Sequence, residues 1–125
     1  AYGQKLILRM SILINDDIDE LGQGYHIRSS NGVEVVYSDS ILENTILYKL
    51  KKGERYILDW RFEVCLMQGI YNLACGMSIP LDLTISKVDF CDFVPCAIQF
   101  SVQNDVDKQL YGFVHWHNDV KITKL

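Results

Sequence analysis

The residues best equipped for chemistry lie near the end of the chain, in His115-Trp116-His117-Asn118-Asp119. On a β-strand, positions two apart point the same way, so His115 and His117 would share a face and could ligate a metal with Cys91 or Cys96. Spacing fixes no third ligand, and two histidines near a strand end are the simpler reading. Asp16, Asp17, Asp19 and Glu20 form an acidic loop, and Asp82, Asp89 and Asp92 mark another. Neither has the Asp-x-Asp-x-Asp-Gly order of a dedicated calcium loop, so solvated turns are expected. The sequence contains no Gly-x-Ser-x-Gly elbow, no phosphate-cradling glycine loop, no His-Glu-x-x-His and no Cys-x-x-Cys. A non-catalytic chain without a resident metal is the expectation.

Binding is better supplied. Seven Tyr, two Trp and three His accompany several Asn and Gln residues. Sugars present C–H patches that stack on aromatic faces, and hydroxyls that need planar donors and acceptors. Trp60 alternates in phase with Tyr56, Leu58 and Phe62, which places it in a core, whereas Trp116 lies opposite His115 and His117, so either it or the histidine pair faces outward. Burying Tyr25, Ile27, Tyr71, Leu73, Cys75, Ile98, Phe100 and Val102 turns His26, Arg28, Asn72, Gln99 and Ser101 outward. If their strands are neighbours, these five form a polar face beside the terminal His/Trp segment. The candidate glycan-binding set is therefore His26, Arg28, Asn72, Gln99, Ser101, His115, Trp116 and His117, with Arg28 able to fork onto an anionic cap.

Strands must position these groups. Period-two alternation runs through Lys5 to Ile14 and Glu54 to Val64, and further strands are expected at Gly24 to Ser29, Val33 to Tyr37, Ile46 to Leu50, Ile70 to Ile79, Ala97 to Val102 and Leu110 to His117. Asn31-Gly32 marks a tight hairpin, Lys52-Gly53 and Asn104-Asp105 mark turns, and no segment has a helical face. Leu66-Met67-Gln68-Gly69-Ile70-Tyr71 has the Leu-x-x-Gly-x-Tyr form of a tyrosine corner, built on Leu66, Gly69 and Tyr71. The expected fold is an all-β, immunoglobulin-like antiparallel sandwich, with Glu54 to Cys65 and Ile70 to Ile79 in opposite sheets. The similar openings Gly3-Gln4-Lys5-Leu6-Ile7-Leu8 and Gly53-Glu54-Arg55-Tyr56-Ile57-Leu58 fit two strands of one sheet.

Composition bounds the rest. With 125 residues, 49% hydrophobic and 22% charged, residues 1–125 are one folded domain rather than a disordered segment. A net charge of −4 supplies no general attraction for nucleic acid or anionic lipid. No apolar stretch reaches the roughly 18–20 residues of a membrane-spanning helix. Cys65, Cys75, Cys91 and Cys96 are expected as free thiols, which favours the cytoplasm. The start at Ala1, with a strand pattern already under way at Lys5, leads one to expect a piece of a longer chain whose first strand precedes it.

The hairpin Gly24-Tyr25-His26-Ile27-Arg28-Ser29-Ser30-Asn31-Gly32 resembles the Gly-aromatic-x-Ile-Arg-x-x-x-Gly hairpin of the Wzt C-terminal domain family. The resemblance continues through Lys52-Gly53-Glu54, Leu66-x-x-Gly69-x-Tyr71-x-Leu73, Phe100-Ser101-Val102 and Tyr111-Gly112-Phe113-Val114, in the same order over nearly the whole chain. Wzt is the ATPase subunit of ABC exporters for O-antigen polysaccharide. The resemblance implies a non-catalytic β-sandwich attached after a nucleotide-binding domain, peripheral to the cytoplasmic side of the bacterial inner membrane. There it would bind the capped non-reducing end of the polysaccharide and pass the chain to the membrane-spanning exporter subunit. It also implies a homodimer that exchanges a C-terminal strand, here near Leu110 to Ile122, so that a site containing Trp116 could be built from both chains. The chain has no Walker motif, so ATP and Mg²⁺ would belong to a missing ATPase domain, and no cofactor is expected in this one. The rival reading is a structural dimerisation module that binds no glycan.

Overall fold

The computed structural model describes residues 2–82, 87–103 and 110–125, with side chains outside 80–82 and 87–91. Alternating apolar and polar residues fold here into strands and no helix. In chain order these are β1 (Lys5–Leu13), β2 (Ile18–Ser29), β3 (Glu34–Asp39), β4 (Leu47–Leu50), β5 (Arg55–Glu63), β6 (Gly69–Asp82) and β7 (Lys87–Val102). β1 and β5 pair antiparallel from Lys5 opposite Glu63 to Leu13 opposite Arg55, so the two similar openings do share a sheet. The second sheet runs β3-β2-β6-β7, with β4 joined to the first residues of β2.

The inward set of each strand packs between the sheets. Leu8 and Met10 of β1, Tyr25 and Ile27 of β2, Tyr71 and Leu73 of β6, and Val102 of β7 share one buried cluster with Val64 and Leu66. Trp60 and Phe62 of β5 close over Tyr25, the first edge-on at 5.3 Å and the second stacked at 5.6 Å. Ile14, Leu21 and Leu50 form a second cluster toward the other end. Removing such side chains from water supplies roughly 1.5–3 kcal/mol each.

The crossing from β5 to β6 is held by polar bonds as well. The Tyr71 hydroxyl donates to the Met67 carbonyl at 2.7 Å, Leu66 is buried, and Gly69 has φ 156°, a conformation in which a side chain is strained. The β2–β3 hairpin turns through Ser29–Gly32, closed by the Gly32 N–H on the Ser29 carbonyl at 2.9 Å. Its left-handed residue is Gly32, at φ 81°.

Gly24 is required for a different reason, close approach. A Cβ there would lie 2.9 Å from the Ser38 carbonyl oxygen and 3.1 Å from Asp39 Cβ, so β3 would have to move away from β2. Gly24→Ala is expected to cost about 1–3 kcal/mol in urea unfolding and to loosen Tyr37 and Asp39 on the same strand.

Three expectations are corrected. Leu110 to His117 is not a strand: Val114 alone makes an isolated bridge, to Leu66, and the chain beyond belongs to no regular element and is exposed. Neither acidic set is a loop throughout, because Asp19 and Glu20 lie within β2, Asp82 ends β6, and Asp89 and Asp92 lie within β7. β7 begins ten residues before Ala97, its edge position accommodating Pro95, which has no N–H to give a neighbour. The turn expected at Asn104-Asp105 lies outside the described residues.

Candidate functional site

The register of the larger sheet aligns five of the eight candidate residues. Arg28 pairs with Asn72, Asn72 with Gln99, His26 with Ala74, and Ile70 with Ser101. Since Tyr25, Ile27, Tyr71 and Leu73 point into the core, His26, Arg28, Asn72, Gln99 and Ser101 all lie on the opposite, outward face. Gly24 pairs with Gly76 in the next row, so the middle of the face is floored by backbone and by the buried Ala74.

Aromatic rings border that floor. Tyr37 pairs with His26 across β2 and β3, with ring centroids 4.8 Å apart, and Phe93 pairs with Gly76 and meets His26 edge-on at 6.2 Å. Tyr37 is 44% exposed and Phe93 39%, enough to offer a face to a ligand while their stems are held. Phe93 reaches this position because β7 carries two extra residues: Leu73 pairs with Ile98, but Cys75 pairs with Val94. The bulge also brings the Cys96 thiol to 3.8 Å from Asn72 Oδ1. Flat rings around a backbone floor, with amides and carboxylates at the margin, suit an apolar ring face carrying hydroxyls on its rim.

The charges of the face are internally paired. Glu34 accepts from Arg28 Nε at 3.1 Å and, through its other oxygen, contacts His26 Nδ1. Asp39 is buried, accepting from the Tyr37 hydroxyl and the Leu42 N–H. The hydrogen bond to His26, with Arg28 adding to it, holds the Glu34 carboxyl below the usual glutamate range. A carboxylate whose folded value is depressed contributes stability above its unfolded value, lost as pH falls through the folded one. The stability difference between the wild type and Glu34→Gln is therefore expected to be constant above the ordinary glutamate value of 4.5 and to close below it, in thermal unfolding at pH 7 and pH 3. It should be small, because the side chain is 45% exposed.

His115, Trp116 and His117 are placed elsewhere. The His115 N–H bonds the Cys65 carbonyl at 3.0 Å, and its own carbonyl accepts from the Tyr2 hydroxyl at 2.7 Å. Trp116 is 78% exposed, and His117 lies 3.7 Å from Asp119. With no strand here, the two histidines share no strand face, and no metal-ligating cluster occurs among the described residues. Cys65, Cys75 and Cys96 are free, and burial pushes the Cys75 thiol up, as suits a small core residue.

A second feature runs along the side of the sandwich. Among the described residues β1 pairs only with β5, leaving its other edge open toward β7. Between those edges is a cleft of about 650 Å³ lined by Leu8, Met10, Ile12, Val94 and Ile98. A smaller cavity of about 310 Å³ shares Leu8 and Ile98 and extends past Leu6 and Phe100.

Sequence reasoning missed Tyr37, Phe93, Glu34 and Asp39. Alternation within Val33 to Tyr37 could have put Tyr37 on the outward set. Nothing local signals Phe93, which depends on the bulge.

The sequence matches the family model of the Wzt C-terminal domain over residues 1–116. Twelve chains among the solved structures match it. One is a crystal structure of the C-terminal domain of Wzt, with a TM-score of 0.84 at 18% identity, covering 98% of this chain and 72% of that one. At that identity the likeness is one of fold. A search of curated proteins finds no match.

Proposed function

The chain belongs to the Wzt C-terminal domain family, and from that membership we propose that it binds the end of an O-antigen polysaccharide on the outward face of its larger sheet. The family has a role in the O-antigen ABC exporter, and its domain is non-catalytic. Binding here selects the glycan and delivers it for export, while ATP and Mg²⁺ serve the nucleotide-binding part of the parent subunit. The domain works beside the membrane-spanning exporter subunit, on the cytoplasmic side of the inner membrane. No helix of the described chain is long and apolar enough to cross a bilayer.

The observation that carries this reading is the aromatic border around the Gly24–Gly76 floor. His26, Tyr37 and Phe93 come from three strands and converge over this floor, covering the buried Ala74 and Gly76 and offering partly exposed rings above them. A pyranose can lie with its C–H face against the exposed part of the Tyr37 or Phe93 ring, and Arg28, Asn72, Gln99 and Ser101, further along the same face, can take the hydroxyls of the sugars that follow it. Calorimetric titration with the O polysaccharide of the source strain tests this, beside the same polymer with its terminal cap removed and one from an unrelated serotype. Saturable binding to the native capped polymer alone is expected. No binding to any of them by the folded chain would contradict the reading.

A second reading, dimerisation by exchange of the C-terminal segment, is favoured by a separate observation. Trp116, Val120 and Ile122 are 78%, 79% and 90% exposed, while the open β1 edge borders an apolar cleft. An extended segment from a second copy could pair with that edge and seat apolar side chains in the cleft. Exchange would also give His115, Trp116 and His117 of a partner a route to the glycan. The two readings are compatible, and glycan-independent export after replacement by a foreign domain would leave dimerisation alone.

A further inference from the structure

Resting on the glycan-binding reading above, we propose that the face accepts an uncharged sugar terminus and rejects an anionic one, and that Glu34 sets this choice. Among the described residues the cationic side chain on the face is Arg28, two positions from His26 along β2. Glu34, opposite Arg28 on β3, takes one bond from each through its two oxygens. The Nε edge of the guanidinium, half of the fork that grips a phosphate or carboxylate from the side, is thus engaged by an intramolecular carboxylate.

Asp39 is buried behind Tyr37 and accepts from its hydroxyl, so it is Glu34, 45% exposed, that presents a carboxylate beside Arg28. A phosphate or uronate approaching Arg28 must displace Glu34 or sit beside it, on a chain of net charge −4. Hydroxyl groups meet no such penalty. They donate to Glu34, Asn72 and Gln99 and accept from the guanidinium and amide N–H groups, so the same paired charges that repel an anion orient a neutral sugar.

The test compares two polymers on the wild-type chain and on Glu34→Gln, which keeps the shape of the side chain and removes its charge. The probes are the source strain's O polysaccharide and the same material after oxidation of its primary hydroxymethyl groups to carboxylates, titrated calorimetrically at low ionic strength. The wild type is expected to bind the uncharged polymer and to lose at least about tenfold in affinity for the oxidised one. Glu34→Gln is expected to recover most of that loss, and the recovery should fade as salt is raised. Equal or tighter wild-type binding of the oxidised polymer overturns the proposal and leaves glycan recognition standing, as does tight binding of a native polymer that is itself anionic. Binding of neither polymer by the folded wild type removes glycan recognition itself. A folded Glu34→Gln that shows the same loss as the wild type overturns the role of Glu34, and Glu34→Ala takes its place in the comparison if Glu34→Gln fails to fold.

Discussion

Replacing Tyr37 and Phe93 together by alanine is expected to lower affinity for the O polysaccharide by about a hundredfold or more while the domain stays folded. Each ring contributes on the order of 0.5–1.5 kcal/mol of stacking beyond the area it buries, so the two rings with their buried area account for a loss of this size. Both are more than a third exposed, so their removal empties less of the core than loss of a residue such as Ile27, which is 2% exposed, and the main cost to the fold is the bond that the Tyr37 hydroxyl gives the buried Asp39. Titration calorimetry of the double variant beside its two single variants measures the loss, and circular dichroism confirms folding. Unchanged affinity in the folded double variant would move the site off this face.

Ending the chain after Val114 is expected to convert a dimer into a monomer. The segment removed, 115–125, carries Trp116, Val120 and Ile122, all largely exposed on the single chain. Extended, its eleven residues span at most about 36–40 Å, enough to run along the nine residues of β1. Sedimentation velocity of the full and shortened chains at matched concentrations reads the result directly. A shortened chain that remained dimeric would place the interface elsewhere, and a full chain that was monomeric would exclude exchange altogether.

The parts of this molecule legible in the sequence are those where neighbouring residues carry the information. Alternation from Leu6 to Ile14 and from Tyr56 to Val64 exposes the two strands of the smaller sheet, because each has one face in the core. Leu66, Gly69 and Tyr71 mark the crossing because the turn and the hydroxyl bond depend on residues within a few positions of one another. The first half of β7 was illegible: Asp89, Asp92 and Pro95 are ordinary breaker residues, and only an edge strand with a bulge tolerates them together.

The candidate site divides along the same line. His26, Arg28, Asn72, Gln99 and Ser101 follow from the phase of their own strands, which local pattern shows. Tyr37, Glu34 and Phe93 follow from which strands pair and in what register, and that is decided by packing at a distance in sequence. The terminal segment misled for a related reason. Its residues alternate as a strand's do, but on the single chain only Val114 finds a bridging partner, at Leu66. A periodic pattern states what a segment can become when paired, and pairing is a property of the surroundings.

The most direct test of glycan recognition on the larger sheet is to follow the backbone amide resonances of the isotopically labelled chain while the source strain's O polysaccharide is added. Recognition on the outward face predicts that the largest shifts fall on His26, Tyr37, Ala74, Gly76 and Phe93 and on their register neighbours Arg28, Asn72 and Gln99, with β1 and β5 little moved. Shifts confined to residues 114–125 and the β1 edge would contradict it.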